Sequence, residues 1–307
     1  MDRRKTLLIA RYSTRYSVRS GIGLVFLLLS LTFGLLVAHI MLQPVEMATR
    51  RVLADQPDAS PTEVREHVAA SLVKGAKPVV AWMVGDQNAE FGAETDPDAR
   101  AWADFLLDDR PAMLSAIFLI LLWGWPFLVA FGAFDMFAGD IGSRGLRYQL
   151  LRVDRGSVYF GRLLGMVATF ATVLALLGVT VIAYMGLKLP LYSWSDLILW
   201  GLHGLAAILV VSLPYVALCG WISAGLSSSF ASLTIASVVI GGVPLVAMLG
   251  RMSTEYASWL IYLLPWGYQL RLLHPDWTQE LLAAAGCFGM TALFLWLGHR
   301  RFTRRDL

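Results

Sequence analysis

The side chains with the greatest chemical reach in this 307-residue chain are gathered between residues 135 and 162. Five arginines (Arg144, Arg147, Arg152, Arg155, Arg162) stand there among three aspartates (Asp135, Asp140, Asp154). Such a set can make charge-assisted hydrogen bonds to a partner or to anions. Bond-making chemistry needs a nucleophile beside a base, and the sequence offers no such pair. Ser227-Ser228-Ser229 has no base near it in sequence, and His67 stands alone among soft metal ligands in its segment. The chain has four lysines (Lys5, Lys74, Lys77, Lys188), none following a glycine-rich phosphate loop. It therefore binds no ATP through a P-loop, and any ATP-driven work requires a second polypeptide. Cys219 and Cys287 lie in apolar stretches and read as small buried hydrophobes rather than as a disulfide or metal site.

The elements that position the basic segment are apolar. Hydrophobic residues make up 57% of the chain and charged residues 15%, with a mean hydropathy of +0.62, which makes a bilayer the expected solvent. Six spans are expected at 21–43, 112–134, 163–187, 197–226, 230–250 and 279–298, each close to or above the roughly 20 helical residues a bilayer core requires. Tyr256–Leu270 is apolar but broken by Pro265 and Gly267, so 251–278 reads as a re-entrant or interfacial segment. The apolar cores of the spans hold no Asp, Glu, Lys or Arg, and His39 and His203 fall near span ends. A proton- or sodium-driven carrier normally places a carboxylate inside the membrane, so the sequence argues against a self-sufficient carrier and against an intramembrane enzyme.

Charge sets the expected orientation. Residues 1–20 hold six basic side chains against Asp2, the segment 135–162 five against three acids, and the tail 299–307 four against Asp306. Residues 44–111 hold seven basic and thirteen acidic side chains. Both termini and the basic segment are thus expected in the cytoplasm, with 44–111 outside. In the prelude 1–20, Leu8, Tyr12 and Tyr16 recur every four residues, as do Arg11, Arg15 and Arg19. That pattern predicts an amphipathic helix on the inner membrane surface, facing anionic lipid or a partner subunit. In the outer insert, Ser60-Pro61-Thr62-Glu63 predicts a helix start running to about Leu72, and Asp96-Pro97 another running toward Leu107. Pro78–Val84 between them reads as a strand or an apolar surface patch. Close helix packing is expected at Gly201–Gly204, Gly220–Gly225 and Ala231–Ala236.

Within 135–162, Ile141, Leu146, Leu150 and Leu151 can share one face of a short helix while Arg144, Arg147 and Arg152 cover another. A partner's groove can take the apolar knobs while the charges fix register. The order of Asp140, Gly145, Leu150, Leu151, Arg155, Gly161 and Arg162 resembles the ABC-2 family, the permease subunits of ATP-binding cassette exporters. The ending from Phe302 to Leu307 is also similar to that family's. The likeness extends to six spans, cytoplasmic ends and an amphipathic first helix. It is nearest to permeases of copper-enzyme maturation systems and of drug or lipid exporters. The sequence departs from the pattern at Leu146, where threonine is usual, and at Asp154, where proline is usual.

The resemblance implies an all-α polytopic membrane protein of type V exporter architecture, six helices with both termini cytoplasmic and a small helical extracytoplasmic insert. It implies a multi-pass protein of the bacterial inner membrane that is not itself an enzyme. The expected ATPase-coupling interface is Asp140, Arg144, Gly145, Leu146, Arg147, Leu150, Leu151 and Arg155, with Arg11, Arg15 and Arg19 on the interface helix. The implied partners are two copies of an ABC ATPase, a second copy of this chain, membrane lipid and an outer partner for 44–111, but no nucleic acid. No cofactor is expected in this chain, and ATP with Mg²⁺ belongs to the ATPase. The alternative is a non-transporting scaffold or sensor that presents the insert.

Overall fold

The computed structural model describes residues 2–19, 21–56, 59–85, 97–253 and 262–305, and among them it is built of helices without strands. In chain order they are α1 (Arg3–Arg19), α2 (Gly21–Asp55), α3 (Pro61–Val84), α4 (Pro97–Asp104), α5 (Ala112–Ala133), α6 (Ala138–Gly142), α7 (Gly145–Leu150), α8 (Arg155–Lys188), α9 (Trp194–Ala224), α10 (Ser229–Ser253) and α11 (Trp277–Arg304). A π-helical turn, Phe105–Asp109, follows α4, and 3-10 turns occupy Pro265–Gly267 and Leu270–Leu273. Six helices (α2, α5, α8, α9, α10, α11) are long and apolar enough to cross a membrane. A helix is the natural choice for such sequences because every backbone group is satisfied within the segment, even where Pro126 and Pro214 interrupt α5 and α9.

The core is centred on α5, whose Leu114, Ile117, Leu122, Trp125 and Val129 are fully enclosed. It packs on α9, and two indoles fasten the pair. Trp125 Nε1 donates to Ser212 Oγ at 2.7 Å, and Trp200 Nε1 to Ser115 Oγ at 2.9 Å. Hydrogen bonds between membrane helices contribute about 0.6 kcal/mol each and reach about 1.7 kcal/mol. The expected close packing at Gly201–Gly204 has a physical reason, since Phe118 of α5 lies where a Cβ on Gly204 would sit. Gly132 of α5 similarly admits Phe26 and Phe170.

The helices outrun the lengths read from hydropathy. α2 continues through Pro44 to Asp55, so the segment 44–111 begins as an extension of the first span. The strand or surface patch expected at Pro78–Val84 is helix. α3 runs unbroken through Pro78, and Val80, Ala81 and Val84 are buried along one side. The three-to-four spacing of those residues satisfies a helix as readily as a short apolar run satisfies a strand. The second helix of this region is present from Pro97, while Asp96 lies outside the described residues. Of the interfacial segment expected at 251–278, residues 254–261 also lie outside them.

Tertiary contacts sort the connections into two ends. At one end the Asp2 amide meets Ser157, and Arg155 reaches the C-terminal residues of α11. At the other, Trp102 of α4 donates to the Leu273 carbonyl, and Lys188 faces Glu46. The first carries the arginine-rich segments and is called the basic end; the second carries α3, α4 and the 3-10 turns.

Candidate functional site

The basic segment is fixed by its neighbours rather than free. Ser223 Oγ, at the end of α9, accepts from the Phe137 and Ala138 amides at 2.9 and 3.0 Å, supplying the cap that the short α6 lacks locally. The Asp135 carboxylate accepts from the Gly139 amide at 2.8 Å and from Ser229 Oγ at 2.5 Å. Ser232 Oγ donates to the Phe134 carbonyl at 2.7 Å. Gly142 presses so close to the Ser227 carbonyl that no Cβ fits between them. The α5–α6 corner is thereby bound to the α9–α10 turn.

Arg162, in the second turn of α8, holds the other side. Its guanidinium pairs with the Asp140 carboxylate, donates to Gln149 Oε1 at 2.9 Å and to the Met136 carbonyl at 2.8 Å, and lies over the Phe137 ring. Planar multidentate donors suit arginine and no other side chain. Below it, Phe137 stacks on Tyr159 with ring centroids 5.4 Å apart, and both touch Phe302 of α11.

The single amphipathic helix expected across Asp140–Leu151 is instead two short ones. Arg144 separates them in the left-handed region at φ 61°, the one non-glycine residue with positive φ among the described residues. Such a conformation costs a β-carbon residue about 1–2 kcal/mol, and Gly142 and Gly145 on either side give the chain room to turn. The expected apolar face is accordingly divided. Leu146 is 1% exposed, Ile141 and Leu150 are half-buried, and Leu151 points out at 82% exposure. Leu146, where the family pattern has threonine, is therefore a core residue.

Arg155 is turned toward α11. It is the first residue of α8, and it donates to the Thr303 and Arg305 carbonyls at 2.7 and 2.8 Å, satisfying the C-terminus of α11. Arg305 in turn donates to the Ala224 and Leu226 carbonyls at the end of α9. Asp154, the other departure from the family pattern, caps α8. Its carboxylate accepts from the Ser157 hydroxyl and amide at 2.8 and 2.9 Å, and these bonds hold its pKa below the ordinary carboxylate value.

The expected interface helix is α1, and it lies along the start of α8. Gly161 and Gly165 of α8 leave only 2.8 Å from a Cβ to Ile9 Cβ and 2.7 Å to the Ala10 carbonyl. Thr14 Oγ1 donates to the Gly165 carbonyl at 3.1 Å. Leu8, Tyr12 and Tyr16, with Arg11, Arg15 and Arg19, remain exposed on the opposite face.

The eight coupling residues read from sequence thus fall into two groups. Asp140, Leu146 and Arg155 face inward and brace the segment, with Gly145 at the joint. Arg144, Arg147 and Leu151 face outward, with Leu150 between the two groups. Sequence reasoning missed Ser223, Ser229 and Ser232, whose role depends on contacts more than 80 residues distant. It also passed over Gly161-x-x-x-Gly165, a small-residue spacing that itself signals close helix approach. Compared with models of known families and with curated proteins, the chain matches none.

Proposed function

We propose that this chain is the membrane-spanning permease subunit of an ABC-2 type ATP-binding cassette transporter in the bacterial inner membrane. Its basic end faces the cytoplasm, and the α3–α4 region lies on the outer side. Two copies pair with two copies of a separate ATPase, which holds ATP and Mg²⁺ and performs the hydrolysis. This chain makes no bonds itself; it converts the partner's motion into export of a substrate or into force delivered across the membrane.

One observation carries the reading: the α6–α7 segment is braced on its inner side and unsatisfied on its outer side. Inward bonds tie it to α8 through Arg162, to the α9–α10 turn through Ser223 and Ser229, and to α11 through the Phe137–Phe302 contact. Outward, Leu151 and Tyr148 are 82% and 76% exposed, and Arg144 and Arg147 have no ion-pair partner among the described residues. A push on the outer face is therefore delivered to four spans at once. An exposed leucine and tyrosine among unpaired arginines also suit a protein groove that buries apolar side chains inside a polar rim.

The test is copurification of the tagged chain with its ATPase from native membranes, followed by binding measurements on the purified pair. Leu151→Asp combined with Arg147→Glu should weaken the association by at least about tenfold, without changing thermal unfolding, because both side chains are exposed. Wild-type affinity in that double variant would show that the outer face of α7 is not the coupling surface.

A further inference from the structure

The basic end also contains a cavity of about 980 Å³, bounded by α1, the start of α2, the end of α5, the α6–α7 segment and the first turns of α8. Its two ends differ in chemistry. The inner end reaches into the bundle, where Phe26, Val158 and Met166 form a buried apolar wall. The polar part of its lining includes Tyr12, Tyr16, Tyr148 and Arg152. The other ionic groups in the wall are already satisfied, Asp140 by Arg162 and Asp135 by the Gly139 amide and Ser229. Arg152 has no acidic partner, and the three tyrosine hydroxyls have no hydrogen-bond partner, among the described residues.

We propose that this cavity binds one anionic phospholipid from the leaflet at the basic end, with its phosphate at Arg152 and an acyl chain against Phe26 and Met166. An arginine with nearby hydroxyl donors satisfies a phosphate ester. The apolar wall matches a ligand that carries a hydrocarbon tail, whose van der Waals contacts in the cavity replace those it makes in the leaflet. Tyrosines at the headgroup level and unpaired arginines beside an anionic leaflet reinforce both halves of the site. Free phosphate would share the headgroup chemistry but leave the apolar end empty. Tyr148 and Leu151 belong both to this lining and to the outer face of α7 assigned above, but lipid retention is measured on the chain without an ATPase, so failure of the lipid site and failure of the coupling surface are distinguishable.

The experiment is native mass spectrometry of the purified full-length chain in mixed micelles containing equal phosphatidylglycerol and phosphatidylcholine, with and without inorganic phosphate. The wild type should retain one phosphatidylglycerol with a preference of about tenfold or more, and millimolar phosphate should not displace it. Arg152→Gln should retain lipid but reduce the preference to near one. Met166→Trp, which fills the apolar end, should abolish retention of both lipids; unchanged thermal unfolding of the lipid-free variants establishes that they fold. Equal retention of the two lipids by the wild type, an unchanged preference in Arg152→Gln, or displacement by phosphate alone would each overturn the proposal.

Discussion

The two ends of this bundle spend their charges differently. At the basic end, Arg155, Arg162 and Arg305 are turned inward, where they satisfy backbone carbonyls and one carboxylate. Arg11, Arg15, Arg144, Arg147 and Arg152 are turned outward without an acidic partner among the described residues. At the α3–α4 end, Lys74 and Arg100 are likewise exposed without an ion pair among the described residues, but other charges pair locally. Lys77 of α3 bridges Asp104 and Asp108 at 2.8 and 2.5 Å, and those hydrogen bonds raise its pKa. Arg110 lies over the Phe105 and Trp200 rings, and His274, whose Nδ1 accepts from the Asp276 amide, has its pKa pushed down by burial. The basic end is braced from within and sets its outward arginines beside the exposed Tyr148 and Leu151; the α3–α4 end is joined through its own side chains. The first pattern suits a surface that receives a partner and passes on its motion.

The contrast can be broken most severely at Arg162. Arg162→Ala leaves the Asp140 carboxylate and the Met136 carbonyl without their donor. Lost hydrogen bonds to a charged group cost about 1.5–3 kcal/mol, so the thermal midpoint of the purified protein should fall. Amide exchange should rise across α6 and α7 while α3 stays protected, and equal loosening of both ends would erase the distinction.

A more local disruption is Gly165→Leu, which places a side chain where the Ala10 carbonyl and Ser13 lie. Overpacking of this kind costs about 1–3 kcal/mol, and here α1 can leave α8 to relieve it. Spin labels on Arg11 and Arg152 should report a longer and broader distance distribution, with the α3–α4 end unchanged.

The smallest expected effects lie at opposite ends of the pH scale. Lys77 has a raised folded pKa, so its bridge is fully present below the ordinary lysine value near 10.4 and fades as pH rises through the folded value. Asp154 has a lowered folded pKa, so its cap is present above the ordinary carboxylate value near 3.9 and is lost as pH falls through the folded one. Amide exchange should loosen the α3–α4 contact first in alkali and the start of α8 first in acid. Asp154 is exposed and Lys77 half-buried at the surface, so the global unfolding transition should barely move.

Much of this arrangement was legible from the chain, for reasons that separate local from distant causes. Uninterrupted apolar runs located all six long helices, because bilayer length and backbone satisfaction act on each segment by itself. The helix start at Pro61 was legible from the fixed φ of proline. Pro78–Val84 was not, because a seven-residue apolar stretch carries too little periodicity to separate helix from strand. The break at Arg144 escaped notice because arginine carries no signature of a left-handed residue. The division of Asp140, Leu146 and Arg155 from Arg144, Arg147 and Leu151 depended on Arg162, Ser223 and Phe302, whose positions only the folded chain defines. Asp154, a departure from the resembled pattern, proved to be a helix cap.

The proposed function puts an ATPase on the outer face of α7 and none on the α3–α4 end. Photo-cross-linking in intact cells tests it directly, with a benzophenone side chain placed at Tyr148 in one strain and at Val79 in another; both positions are exposed. The expected result is an adduct at Tyr148 that mass spectrometry identifies as a soluble protein carrying a P-loop ATPase motif, and no such adduct at Val79. An ATPase adduct at Val79, or none at Tyr148 while the protein is folded and in the membrane, would contradict it.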